Sequence, residues 1–229
     1  MTEETYLGVR LIPAPERGVW RLGKAKEPLK YNRISTDDTD LPSGNRWSLV
    51  ERGTLYCATD LQGCFAEALA PFRVHPELRA IIAQGDWPQP YYMPPGTLPR
   101  DWRTRHTLVR LLLEKEARFL DVDDEDTIRS LTVALEPELA DLGIDKLTHD
   151  HVQGPDRRIT RCIAAWAERQ ETPHGARPIQ GIAYRSRFAA RRCWAVFEGT
   201  PLDEAETQPI WTETEGLTAV AHEYGLIVL

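Results

Sequence analysis

The run GNRWSLVERGTLYCATDLQGCFAEALAPF, from Gly44 to Phe72, constrains this chain more than any other stretch, because it dictates a turn, a strand and a helix in immediate succession. Gly44-Asn45 and Arg52-Gly53 are turn signals. Thr54 to Ala58 is a short β-prone run. Asp60 then offers a helix N-cap, after which Leu61, Phe65, Ala68 and Leu69 recur at helical spacing. Glu67 lies two positions beyond Phe65, so it sits off the main apolar face of that helix. A helix packed beside the strand would bring the Glu67 carboxylate toward Tyr56. Taken alone, the same pattern also describes a surface glutamate on an amphipathic helix.

A chain of 229 residues with 41% hydrophobic and 28% charged residues reads as an ordinary globular protein with room for a sizeable core. One domain over residues 1–229 is the simplest organisation, with an elaborated middle region at about 73–155. There is no repeat, low-complexity tract or obvious linker, and no apolar run long enough to span a bilayer. The acidic start, MTEETYLGVR, lacks a signal-peptide pattern, so a cytoplasmic location is expected. The formal net charge of −7 argues against a general nucleic-acid surface, although the many arginines leave room for local basic pockets. Cys57, Cys64, Cys162 and Cys193 form no Cys-x-x-Cys pair and are expected as buried free thiols.

Tyr6–Ile12 and Val19–Leu22 read as apolar segments, with Arg21 on the strand face opposite Trp20 and Leu22. Residues 24–45 read as a polar loop; its Asp37-Asp38-x-Asp40 cluster lacks the glycine and distal glutamate of a calcium loop. Six prolines in 73–103 predict an ordered loop packed by Trp87, Tyr91, Tyr92 and Trp102, forming one wall of a pocket. Thr107–Leu113 and Ala117–Val122 read as strands, Asp123–Leu142 as a helix divided at Pro137, and Asp156–Gln170 as an amphipathic helix. His149 and His151 lack a third ligand at a familiar spacing and are expected as exposed loop histidines; no metal is expected. Gly181–Arg187 and Cys193–Glu198 read as strands, 200–216 as an acidic loop, and Leu217–His222 with Tyr224–Leu229 as a last β pair.

The order Arg46-Trp47, Gly53-Thr-Leu-Tyr56-Cys-Ala-Thr59, Cys64-Phe-Ala-Glu67 and finally Gly181-Ile-Ala-Tyr184-Arg-Ser186-Arg187 resembles the motifs of the RES domain family. Arg21 matches an early arginine of that family, and residues 151–169 resemble the helix that precedes its Tyr-x-Ser motif. The resemblance covers about half of the chain. It implies an α+β, ADP-ribosyltransferase-like fold: a split β core with surrounding helices and a cleft that holds NAD. It further implies an enzyme that consumes NAD by cleaving the nicotinamide–ribose bond, acting as a toxin held inactive by a helix-turn-helix antitoxin. Self-association into a homo-oligomer is left open. Where the family has an asparagine after Arg-Trp this chain has Ser48, and Asn45 replaces a glycine; 73–155 has no clear match.

That chemistry suits these residue types. Nicotinamide leaves NAD as a neutral amine, so no general acid is needed, and the difficulty is an oxocarbenium-like ribose. Glu67 is the expected stabilising carboxylate. Arg46 and Arg21 are expected on the pyrophosphate, where planar bidentate donors serve best. Tyr56 offers an aromatic wall for the nicotinamide ring. Ser48 is a further hydrogen-bond donor to the nucleotide, and Ser186 is expected to bond the nucleotide or Glu67, with Tyr184 in support. Transfer of ADP-ribose to a protein on the same site, and a non-catalytic binding module, are the competing readings.

Overall fold

Two hairpin residues at positive φ, Leu7 and Gly8, reverse the chain from β1 (Glu4–Tyr6) into β2 (Val9–Pro13). The computed structural model describes residues 4–37, 44–84, 93, 95–188 and 191–229. β3 (Val19–Lys24) and β4 (Thr54–Ala58) follow, and Asp60 caps α1 (Leu61–Leu69) by accepting the Gly63 N–H at 2.7 Å. Then come α2 (Pro76–Gln84), β5 (Thr97–Leu98), α3 (Arg100–Thr104), β6 (His106–Leu113) and β7 (Arg118–Asp121). α4 (Glu125–Ala134) and α5 (Glu136–Asp141) part at Leu135, ahead of Pro137, as the proline predicts. α6 (His149–Gln153), α7 (Arg157–Glu168), β8 (Gly181–Arg185), β9 (Arg192–Phe197), β10 (Leu202–Pro209), α8 (Leu217–Tyr224) and β11 (Ile227–Val228) complete the chain.

Among the described residues nine strands form one sheet in the order β1-β2-β7-β8-β9-β4-β3-β6-β10, with β7 and β8 parallel and every other pair antiparallel. The sheet is continuous only nominally. β4 pairs with β9 over five positions and β3 with β6 over six, but β3 and β4 meet at a single pair, Trp20 with Ala58. Beyond it they diverge, which splits the core into two halves. One face of the sheet carries α1, α4, α7 and α8 over a cluster built on Phe65, Leu69, Leu131, Ile163 and Tyr224. The other face buries Val19, Leu55, Val109, Phe119 and Trp194 in a cluster that, among the described residues, contains no helical residue. Strict alternation along β4 serves both: Leu55 and Cys57 point to the second cluster, Tyr56 and Ala58 to the first.

Several expectations are corrected. The acidic 200–216 segment contains strand β10, which pairs with β6 along seven positions. It is a sheet edge whose side chains are almost all exposed, so backbone pairing rather than apolar alternation defines it, and its charges suit an unpaired edge. Leu217–Tyr224 is a helix, not a strand. Leu217, Val220, Ala221 and Tyr224 bury one helical face, and Gly225 in the left-handed conformation (φ 67°) ends it. Only Ile227–Val228 is extended, pairing with Thr97–Leu98. In the proline-rich segment Pro76 opens α2 and Pro99 precedes α3, positions where a missing N–H costs nothing. Trp87, Tyr91 and Tyr92, and the aspartates Asp38 and Asp40, lie outside the described residues. His149 and His151 sit in α6 rather than a loop, with His151 half-buried. Cys57, Cys64 and Cys193 are buried free thiols and Cys162 is half-buried. Among the described residues no helix is long and apolar enough to cross a membrane.

α1 lies directly on β4 because Gly63 has no side chain; a Cβ there would come within 2.7 Å of the Ala58 Cβ. A glycine-to-alanine change normally favours a helix by about 1 kcal/mol, but overpacking of a rigid contact costs about 1–3 kcal/mol. Gly63→Ala is therefore expected to lower the thermal midpoint in calorimetry. A raised midpoint would show that α1 is not seated on β4 as described.

Candidate active site

The parting of β3 and β4 opens a cleft of about 600 Å³, within the range of small-molecule sites. Arg21 and Leu22 of β3, Tyr56 to Ala58 of β4, and Gly63, Cys64, Glu67 and Ala68 of α1 line it, together with Arg46 and Tyr184. The strand that would have completed the ladder is replaced by the segment 24–34, which crosses to β4 and bonds it reciprocally: Asn32 N–H to the Thr54 carbonyl and Thr54 N–H to the Asn32 carbonyl, each 2.9 Å.

Arg21 holds this arrangement together. Its Nε donates to the Pro28 carbonyl at 2.7 Å, Nη2 to the Lys30 carbonyl at 2.9 Å and Nη1 to the Tyr56 carbonyl at 3.1 Å. One guanidinium thus ties β3, the crossing segment and β4 through carbonyls that a continuous ladder would otherwise satisfy. Burial pulls its pKa below the ordinary value, and coupling to Cys57, Cys64 and Tyr31 opposes that shift. Arg21 was expected on pyrophosphate; three of its five N–H groups are already engaged with the backbone.

Arg46 stacks its guanidinium against the rings of Tyr184 (5.1 Å) and Trp47 (5.4 Å) and donates Nη2 to the Val152 carbonyl at 2.7 Å. Its Nε is buried without a hydrogen-bond partner among the described residues, and burial lowers its pKa. Glu67 is half-buried on α1, and its charge acts on Arg46, Tyr184 and Cys193. Among the described residues its carboxylate makes no hydrogen bond or ion pair.

Tyr56 presents its ring to the cleft while its hydroxyl is spent internally: it accepts the Trp47 N–H at 3.0 Å and meets Ser48 Oγ at 3.0 Å. Burial raises its pKa. Ser48 is buried behind Tyr56, bonded to Asn32 Oδ1 and accepting the Asn45 N–H at 2.9 Å, so it does not line the cleft. Ser186 is also buried. Its Oγ accepts the Phe188 N–H at 2.9 Å and closes the turn after β8; among the described residues it makes no hydrogen bond to Glu67.

Among the described residues, seven of the lining side chains are lysine or arginine and two are carboxylates, in a chain whose net charge is −7. The second carboxylate, Glu27, is held 3.3 Å from Lys30, leaving Glu67 as the negative group facing the cavity. Lys24, Lys30, Arg33 and Arg157 were not singled out in the sequence, and Arg187 was named only as part of the Tyr-x-Ser motif; four cations between residues 24 and 33 were the available signal for the first three. Such a pocket concentrates positive potential where an anionic ligand is drawn in.

The RES domain family model matches residues 18–215. The chain belongs to the RES domain family. Its motif residues Arg46, Tyr56, Glu67 and Tyr184 all reach the one cleft. The chain is also similar in structure to the toxin of the M. tuberculosis MbcT–MbcA toxin–antitoxin complex, with a TM-score of 0.51 and 13% identity over 93% of this chain and 90% of that one. No curated protein matches. The fold is thus α+β and ADP-ribosyltransferase-like, and the divergence of β3 from β4 is its split.

Arg21→Lys keeps the charge and removes the planar fork. Losing one charge-assisted bond costs about 2 kcal/mol, so the thermal midpoint should fall and trypsin should cut between residues 24 and 33 faster. Unchanged stability and digestion would contradict a clamp.

Proposed function

We propose that this RES domain cleaves the bond between nicotinamide and ribose in NAD. The observation that carries the reading is that, among the described residues, Glu67 is the single unpaired carboxylate in a cleft otherwise dominated by cations. A dinucleotide needs cations for its pyrophosphate and one anion for the electron-deficient ribose, and this cleft supplies both kinds in that proportion. The buried, unpartnered Nε of Arg46 fits a ligand acceptor, since an orphaned buried donor is costly unless something fills its place.

In this reading Arg46, with Arg157 and Arg187 nearby, binds the pyrophosphate. The ring of Tyr56 supports the nicotinamide, and Tyr184 stacks on Arg46 to hold its plane. Glu67 stabilises the cationic ribose as nicotinamide leaves with the bonding electrons and no proton. Water or phosphate then adds at the same carbon. The similarity to a toxin of a toxin–antitoxin complex supports a toxin role and an antitoxin partner for this chain; a helix-turn-helix antitoxin is what the RES family resemblance implies.

Purified protein should release free nicotinamide from NAD, and Glu67→Gln should lower the rate roughly a hundredfold or more. Running the assay with and without phosphate identifies the nucleophile, and labelled NAD reveals any transfer to protein. A Glu67→Gln variant as fast as wild type, or a wild type that releases nothing, would overturn the proposal.

A further inference from the structure

The hydroxyl of Ser48 stands in a chain of hydrogen bonds whose direction can be worked out. Tyr56 Oη accepts the Trp47 N–H and Ser48 Oγ accepts the Asn45 N–H. Ser48 Oγ–H donates to Asn32 Oδ1. A hydroxyl has one proton, so Tyr56 must donate to Ser48 across their 3.0 Å contact. Every proton and acceptor in the chain is then used up to one point. The Asn32 carbonyl oxygen is occupied, and its amide nitrogen, with two N–H donors, has no partner among the described residues. Asn32 lines the cleft, and its backbone is pinned to Thr54 of β4 by two 2.9 Å bonds. The free amide is thus held rigidly, beside the hydroxyl end of the Tyr56 ring.

We infer that Asn32 orients the substrate, donating its side-chain N–H to the carboxamide oxygen of a nicotinamide ring lying on Tyr56, and that Ser48 is the residue that positions it. This rests on the proposed reading of the cleft as an NAD site. The ring of Tyr56 sets where the flat group lies, and a substituent at the hydroxyl end of that ring meets Asn32. A rigid donor rewards a substrate that carries an acceptor there and does nothing for one that lacks it. The segment 24–34 therefore contributes a recognition group as well as closing the split.

The test compares NAD with pyridine adenine dinucleotide, which lacks the carboxamide. Asn32→Ala should lower kcat/KM for NAD about tenfold and leave kcat/KM for the pyridine analogue unchanged. Ser48→Ala should show the same selective loss, and the Asn32→Ala/Ser48→Ala double variant should lose little more than either alone, as residues acting through one contact do. Thermal midpoints, measured in parallel, establish that each variant is folded. Equal losses on both substrates, or no loss on NAD, would overturn the inference while leaving NAD cleavage intact. A wild-type protein without nicotinamide release would overturn the proposed function, and the role of Asn32 with it.

Discussion

Two strands that should run together and do not are the feature on which this molecule depends. β3 and β4 share one pair, Trp20 with Ala58, and their separation leaves backbone carbonyls to be satisfied by something else. The guanidinium of Arg21 supplies three bonds at the gap, to Pro28, Lys30 and Tyr56. Cys64 adds a fourth, donating its thiol to the Trp20 carbonyl at 3.1 Å. The cleft therefore lies inside the sheet, walled by strand, crossing segment and helix. A planar cation with five donors in a fixed fork suits this task, and the cost of burying it is visible in its lowered pKa.

A cleft built this way brings its groups together from distant parts of the chain and fixes them in different manners. Glu67 rides on a helix capped by Asp60 and seated by Gly63, so its position follows from regular structure. Arg46 is held by ring faces and one carbonyl, with a donor to spare. Tyr56 is locked by the backbone of the very turn that carries Arg46. The cations outnumber the carboxylates although the protein as a whole is acidic, so the local field is opposite in sign to the net charge.

The parts legible from sequence were those governed by neighbours in the chain. The Asp60 cap, the period of α1, the β4 run and the break at Pro137 all depend on local chemistry, and all stand where the residues put them. What could not be read depends on distant partners. β10 is mostly polar and exposed, and it is a strand because β6 offers it a backbone edge. α8 was hidden because Leu217–His222 and Tyr224–Leu229 were read as two apolar strands, although the Leu217, Val220, Ala221, Tyr224 spacing was there to be seen. The same holds in the site. Arg21 was correctly placed on the strand face opposite Trp20, but no sequence rule says that its donors go to carbonyls. Ser48 was read as a ligand-facing hydroxyl, whereas its bond to Asn32, sixteen residues earlier, follows from the crossing segment.

A crystal structure of the Glu67→Gln variant with NAD would test the central claim most directly, because the substitution preserves shape while removing the charge to which cleavage is assigned in the proposal. The account predicts intact dinucleotide in the cleft between β3 and β4, with its pyrophosphate on Arg46 and its nicotinamide ribose beside residue 67. Nucleotide bound elsewhere on the molecule, or a cleft that takes up none at saturating concentration, would contradict it.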